Sequence, residues 1–147
     1  MNGKIEIDHI NIYSKSEHEL GRMLSNFYRC DVPTRHGTFK SVEGYWYWLK
    51  TGDNNLRKLS GYQAKSYGSS LVPTYKYNEK DFKSDIIYAI FMKIKGNEKI
   101  EKRFVNSTLP FKHYYVYDKK IIDLPEYQWI VDAITFFRTE LKSYKNK

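Results

Sequence analysis

The sequence is poor in the residues that staple or interrupt a small protein. Its one cysteine is Cys30, so no disulfide can form within the chain. A lone cysteine suits a reducing compartment, and we therefore expect a cytoplasmic protein. The 8 glycines and 4 prolines mark no linker, repeat or low-complexity stretch. The chain is accordingly predicted to form one domain over residues 1–147.

Long apolar stretches are also missing. The longest strongly apolar run covers residues 86–92, far short of the roughly 20 residues that a membrane-spanning helix needs. Residues 1–6 contain no apolar signal core. We therefore expect neither a secretion signal nor a membrane partner.

Several motifs that carry chemistry are absent from the sequence. It contains no glycine-rich dinucleotide fingerprint, no phosphate-binding P-loop and no serine nucleophile elbow. No histidine stands at metal-ligand spacing from another histidine or from the cysteine. The sequence therefore predicts neither a metal site nor a bound cofactor. The histidines are His9, His18, His36 and His113.

Positive charge and aromatic side chains are abundant. Lys and Arg number 25 against 17 Asp and Glu, which gives a formal net charge of +8 and a pI near 9.4. Such a charge attracts phosphate-bearing partners, DNA included, but the basic residues are spread along the chain and can equally be solvated. Apolar residues make up 41% of the chain and aromatic residues 17%. This is enough to bury a core without a disulfide or a metal.

Hydrophobic periodicity predicts more helix than strand. The longest helix is expected over residues 79–95, with Asn78 as its N-cap and an apolar stripe every three to four residues. Residues 114–123 predict a hairpin with its turn near Asp118 and Lys119. The class is therefore α+β, mostly α-helical, with a small antiparallel sheet. The other expected elements are a strand region at 5–12 with a bulge or tight turn at Asp8-His9, a loop at 14–40, and helices at 41–50, 54–60, 62–67, 97–107 and 126–142.

Glu43 is the carboxylate that stands out. It follows the expected N-cap Ser41 and begins a helix that is otherwise rich in aromatic side chains. An acid in the first turn of a helix is common because it complements the helix dipole, so a purely structural role is one interpretation. The other interpretation is a partly desolvated carboxylate whose pKa is tuned for proton transfer or for stabilising a cation.

Two further features each have a structural and a functional interpretation. Residues 45–48 are Tyr-Trp-Tyr-Trp, and four consecutive side chains surround a helix. The block therefore either crowds a core or leaves a ring for a flat ligand. Lys65 either is solvated or is directed at a phosphate or a sugar carbon.

Short segments with a recognisable order and spacing extend from residue 12 to residue 68. They are Ile12-Tyr13-Ser14, Leu24-Ser25-Asn26-Phe27-Tyr28, Gly37-Thr38-Phe39-Lys40-Ser41-Val42-Glu43 followed by Tyr45, Lys50, and Ala64-Lys65 with Gly68. This series resembles the NADAR family of YbiA-like proteins, named for a link to NAD and ADP-ribose. Three features depart from the family pattern: its histidine after the glutamate is Gly44 here, its helix continuation Gln-Ala-x-Lys is Tyr47-Trp48-Leu49-Lys50, and no glycine follows Trp129. The departures indicate a divergent, phage-like branch.

The resemblance implies a NADAR-like fold and cleavage of an N-glycosidic bond at a ribose. It implies that Glu43 acts as acid, base or cation stabiliser. Lys65 would hold a pyrophosphate, protonate the leaving base or attack an opened ribose. Asp123 would be a second carboxylate. The implied substrate contacts are Asn26 on ribose hydroxyls and Phe27, Tyr45, Trp46 and Trp129 as stacking residues.

Three functions are open on these grounds. The working hypothesis is an ADP-ribosyl glycohydrolase that removes N-linked ADP-ribose, with ADP-ribosylated guanine in DNA as a substrate. The second is an N-glycosidase of a free nucleotide-like metabolite. The third is a module that binds ADP-ribose or nucleic acid without turnover. All three predict a partner that contains ADP-ribose or resembles a nucleotide, and the first and third allow DNA.

Overall fold

The computed structural model describes residues 5–74 and 77–145. Contacts within the chain define two compact units, named here the terminal unit (Met1–Ser25 with Lys99–Lys147) and the central unit (Asn26–Glu98). The single domain expected over residues 1–147 stays a prediction. Within the described residues, no helix is both long and apolar enough to cross a bilayer.

Helices predominate, as the sequence predicts. In chain order they are α1 (Glu19–Leu24), α2 (Val42–Thr51), α3 (Gly61–Ser70), α4 (Glu79–Lys95), α5 (Glu98–Asn106) and α6 (Gln128–Lys145). The strands are β1 (Ile10–Asn11), β2 (Val32–Thr34), β3 (Gly37–Phe39), β4 (Phe111–Lys112), β5 (Tyr114–Tyr117) and β6 (Lys120–Asp123). The expected α+β class is confirmed. The strands form two antiparallel pairs, β2–β3 and β5–β6, while β1 and β4 pair in parallel.

The core of the central unit lies among α2, α4 and the β2–β3 hairpin. Val32 of β2 pairs with Phe39 of β3, and both side chains are fully buried. Helix α4 packs against β2 and buries an apolar stripe, because residues three or four apart share one face of a helix. The residues of this stripe are Phe82, Ile86, Ile90 and Ile94.

Helix α2 begins where the sequence predicts because Ser41 caps it. The Ser41 hydroxyl accepts a hydrogen bond from the Gly44 N–H at 3.0 Å and donates one to the Leu59 carbonyl at 2.8 Å. The helix ends before Gly52, whose φ of +72° is a conformation that glycine adopts without strain. The cap therefore determines the geometry of the first turn of α2, in which Glu43 lies.

Replacing Ser41 with alanine is expected to destabilise the protein by about 1–2 kcal/mol. The change removes an N-cap and a second hydrogen bond from a fully buried residue. Urea unfolding of parent and variant measures the difference. The control is Ser66→Ala, at an exposed position within α3, which is expected to change stability by less than about 0.5 kcal/mol. Equal effects of the two substitutions would contradict the capping role.

The terminal unit contains the hairpin predicted at residues 114–123. Strands β5 and β6 pair antiparallel, with Tyr117 opposite Lys120. The two turn residues Asp118 and Lys119 have φ values of +49° and +64°. A two-residue turn with both φ angles positive matches the right-handed twist of the strands, and aspartate tolerates this conformation well.

The strand expected over residues 5–12 is wrong except at β1. The cause is the buried side chain of Glu6. Its carboxylate accepts hydrogen bonds from the Asn11 N–H and from the Ser16 hydroxyl, both at 2.7 Å. These bonds fold the segment back on itself, so most of it cannot extend into a strand.

The predicted loop at 14–40 is also wrong. So are the predicted end of α3 and the expectation that α4 is the longest helix. The loop region contains α1, β2 and β3, which are only six, three and three residues long. Helix α3 continues past Gly68 to Ser70. A Cβ at Gly68 would lie 2.2 Å from Cγ of Tyr47, so this glycine permits close packing of α2 and α3 rather than ending a helix. The longest helix is α6, with 18 residues against 17 in α4.

Candidate active site

The backbone of the central unit brings Asn26, Phe27 and Glu43 next to the start of α3. The Glu43 N–H donates to the Asn26 carbonyl at 2.9 Å, and the Gly61 N–H donates to the Phe27 carbonyl at 3.0 Å. Residues 26 and 27 therefore join the first turn of α2 to the first turn of α3. Lys65 lies one turn further along α3 than Gly61. Four of the residues expected at the site thus belong to one backbone arrangement.

Glu43 is the carboxylate of this arrangement, and its pKa is shifted from the usual value. Its side chain is half-buried, and burial raises its pKa from 4.5 to about 7, although Lys65 and then Lys50 act in the opposite direction. Within residues 5–74 and 77–145, no group donates a hydrogen bond to its carboxylate oxygens. Near neutral pH the group is therefore divided between its protonated and ionised forms, as a general acid or base requires.

Lys50 lies beside these candidates, although it was not among the predicted site residues. It lies seven residues after Glu43 and four after Trp46, which places all three on one face of α2. Its Nζ lies 5.6 Å from the centroid of the Trp46 ring and 5.5 Å from that of Phe82. The i, i+3, i+7 spacing was the signal in the sequence that could have identified it.

Trp46 supplies a flat ring beside this lysine. Its ring packs edge-to-face on Phe82 of α4, with centroids 4.8 Å apart and an interplanar angle of 88°. The side chain is half-buried. The structure therefore combines a carboxylate, two lysines and an indole ring in the region where α2 meets α3 and α4.

Tyr45, which was predicted to stack on a base, lies in the core of the central unit. Its side chain is fully buried, with its ring 4.9 Å from that of Phe39 and 6.2 Å from that of Trp48, centroid to centroid. Its hydroxyl is hydrogen-bonded to Nδ1 of His36 at 2.8 Å. A ring enclosed in this way has no open face for a nucleobase, so Tyr45 is a core residue.

Gly44 occupies the position at which the family resemblance has a histidine. A Cβ at this position would lie 2.4 Å from the carbonyl oxygen of Leu56. The 3-10 helix Asn54–Lys58 therefore packs directly on the backbone of α2. In this chain, the residue after the glutamate brings two backbone segments together and supplies no side-chain chemistry.

Asp123 and Trp129 belong to the terminal unit. Asp123 is exposed at the end of β6, paired with Tyr114. Trp129 is half-buried near the start of α6. Their expected roles, second carboxylate and stacking residue, stay predictions. Among the described residues, no group of three or more His, Cys, Asp or Glu side chains is placed to hold a metal ion.

The fold can now be compared with that of known proteins. The NMR structure of the E. coli protein YbiA matches 100% of this chain and 96% of its own, with a TM-score of 0.71 and 17% sequence identity. This chain has the YbiA fold. No protein-family model matches the sequence, and a comparison with curated proteins gives no match.

The YbiA fold agrees with the resemblance in the sequence, which pointed to the YbiA-like family from segments in residues 12–68. At 17% identity the likeness establishes the architecture. A shared fold does not determine function, which depends on the side chains of each protein. The candidates in the central unit are Glu43, Lys50, Lys65, Trp46 and Asn26.

Proposed function

We propose that this protein hydrolyses the N-glycosidic bond of substrates of the ADP-ribose type. The observation that supports this most directly is the Glu43 carboxylate, whose pKa is raised to about 7 by burial while two lysines lie close to it. A carboxylate of this kind can both stabilise a cation and exchange a proton near neutral pH. Glycoside cleavage needs both properties.

The ionised form of Glu43 supplies both properties that the cleavage needs. Breaking the bond between C1′ and nitrogen leaves the electron pair on the base and positive charge on the ribose, as in other glycoside cleavages. The ionised carboxylate stabilises that charge. It then takes a proton from the water whose oxygen bonds to C1′, and the departing nitrogen takes a proton from solvent. Glu43 is returned to its starting form when it releases the proton it has taken.

The neighbouring side chains suit the rest of such a substrate. Lys65 and Lys50 provide positive charge for a pyrophosphate. The half-buried ring of Trp46 offers a stacking face for a base. The side-chain amide of Asn26 makes no hydrogen bond within the described part of the chain, so it can bind ribose hydroxyls. Phe27 is half-buried beside it and is a second stacking candidate.

We propose ADP-ribosylated guanine in DNA as the first substrate to test. The net charge of +8 favours a substrate that adds the phosphates of DNA to those of ADP-ribose. A free nucleotide-like N-glycoside would use the same carboxylate but would gain less from the charge. Because that difference is electrostatic, it is expected to disappear at high salt concentration.

The test is a product assay with purified protein. One arm contains an oligonucleotide with ADP-ribosylated guanine, a second contains small ribose N-glycosides, and the release of ADP-ribose or free base is followed by mass spectrometry. The Glu43→Gln variant is the matched control, because it keeps the shape of the side chain and removes its charge and its exchangeable proton. Release that depends on Glu43 in either arm supports the hydrolase and identifies its substrate class.

Two results would contradict the hydrolase. One is no release in either arm from a protein whose circular dichroism shows a folded chain. The other is equal release by the parent protein and by the Glu43→Gln variant. Tight calorimetric binding of ADP-ribose without release would instead establish a binding module.

A further inference from the structure

A cleft lies in the terminal unit and shares no residue with the site around Glu43. Its volume is about 530 Å³, which is large enough for a nucleotide-sized ligand. Its floor includes the buried side chains of Ile10 and Leu20. Its polar lining, here called the rim, carries more positive than negative charge and is formed by His18, Glu19, Lys99, Lys102, Arg103, Asn106 and Ser107.

The basic rim follows from the amphipathic sequence of α5. Ile100 and Phe104, four residues apart, are buried on the inner face of this helix. Lys99, Lys102 and Arg103 lie on the outer side with spacings of three and four residues, so their charged groups share one surface. This surface faces the cleft.

One acidic side chain partly balances these cations. Glu19 contacts Lys99 at 3.0 Å and Arg103 at 3.3 Å, and the hydrogen bond from Lys99 is the main cause that lowers the pKa of Glu19. A single carboxylate among three cations leaves an excess of positive charge at the rim.

The walls of the cleft are held by further hydrogen bonds within the terminal unit. Nε2 of His18 donates to the Glu6 carbonyl at 2.8 Å. At the other end, Nη1 of Arg138 donates to the Ser107 hydroxyl at 2.9 Å, and Nζ of Lys142 donates to the Ser107 carbonyl at 2.7 Å. These two cations of α6 add to the positive potential at the end of α5.

We propose that this cleft is a binding site for a nucleoside phosphate, distinct from the site around Glu43. The apolar floor of Ile10 and Leu20 takes the base or the sugar. Lys102 and Arg103 bind the phosphate, with Lys99 beside them. The same phosphate chemistry occurs in a free nucleotide and in a strand of nucleic acid, and affinity for each distinguishes the two sources.

The experiment is a titration of the isotope-labelled full chain followed by amide NMR spectra. The probes are inorganic pyrophosphate, ADP and a single-stranded oligonucleotide, all at one ionic strength. The expected result is a set of shifts in the amides of α5 and around residues 18–20. Shifts around Glu43 and Lys65 report separately on the other site, so failure of one proposal does not affect the other.

Two substitutions that change the charge of the rim in opposite directions are expected to change the affinity in opposite directions. Lys102→Glu is expected to weaken binding by about 10-fold, since it reverses a charge at the rim. Glu19→Gln is expected to strengthen binding by about 3-fold, because it releases Lys99 and Arg103 from their carboxylate partner. The matched control is Lys80→Glu, which makes the same change of net charge at an exposed position of α4.

Each outcome decides the proposal. Shifts in α5 that Lys102→Glu reduces and Lys80→Glu does not would support it. Tighter binding of ADP than of pyrophosphate would indicate a free nucleotide, and tightest binding of the oligonucleotide would indicate nucleic acid. The absence of shifts in α5, or equal effects of the two lysine substitutions, would overturn it.

Discussion

The Glu43→Gln variant is expected to be more stable than the parent protein above pH 7 and to lose about 99% of its turnover. The pKa of Glu43 rises from 4.5 to about 7 on folding, so the folded state favours the protonated carboxyl group. The stability that this proton contributes is complete below about pH 4.5 and is lost as the pH rises through about 7. Glutamine avoids the cost of an ionised buried group.

The size of the stability effect follows from the shift in the pKa of Glu43. Each pKa unit corresponds to about 1.36 kcal/mol, so the rise from 4.5 to about 7 predicts a gain for the variant of about 3 kcal/mol at pH 9 and almost nothing at pH 4. Urea unfolding at the two pH values measures this. The control is Glu79→Gln, because Glu79 is also an acid in the first turn of a helix but is exposed.

This comparison decides between the two interpretations of Glu43. If Glu43 only complements the helix dipole, its replacement should destabilise the protein by a few tenths of a kcal/mol, as expected for Glu79. The same substitution should then leave turnover unchanged. A general acid or base contributes about 100-fold or more to the rate. A variant that gains stability while losing turnover is therefore expected only if Glu43 acts in the reaction.

Replacing Gly44 with alanine is expected to destabilise the protein by at least about 2 kcal/mol. Alanine normally improves the interior of a helix by about 1 kcal/mol over glycine. Here its Cβ would lie 2.4 Å from the Leu56 carbonyl oxygen and 3.2 Å from that of Leu59. Backbone atoms cannot move aside as flexible side chains do, so the cost of overpacking exceeds the gain in helix propensity.

Thermal or urea unfolding of the Gly44→Ala variant tests this expectation. Ser66→Ala in α3 serves as the control, since it changes helix propensity at an exposed position. Gly44→His, which would restore the residue of the family pattern, is expected to destabilise more than alanine because its side chain is larger. If either Gly44 variant is as stable as the parent, α2 does not pack closely enough against Asn54–Lys58 to exclude a Cβ at position 44.

Local patterns in the sequence were enough where one segment controls its own structure. The bounds of α4 follow from the cap at Asn78 and the apolar stripe. The hairpin turn follows from Asp118 and Lys119, and the start of α2 follows from Ser41. In each case the hydrogen bonds or periodic contacts involve residues close together in the chain. For the same reason Glu43 could be recognised as a first-turn acid before its surroundings were known.

The sequence by itself determined the fold class, the main helices, the hairpin and the choice of Glu43, Lys65 and Trp46 as candidates. Only the tertiary structure decided which aromatic rings are enclosed, why residues 44 and 68 are glycines, and that Lys50 lies beside Phe82 of α4. It also decided the pKa of Glu43, because desolvation depends on everything packed around the carboxylate. Contacts between distant segments set these properties, and no short pattern in the chain encodes them.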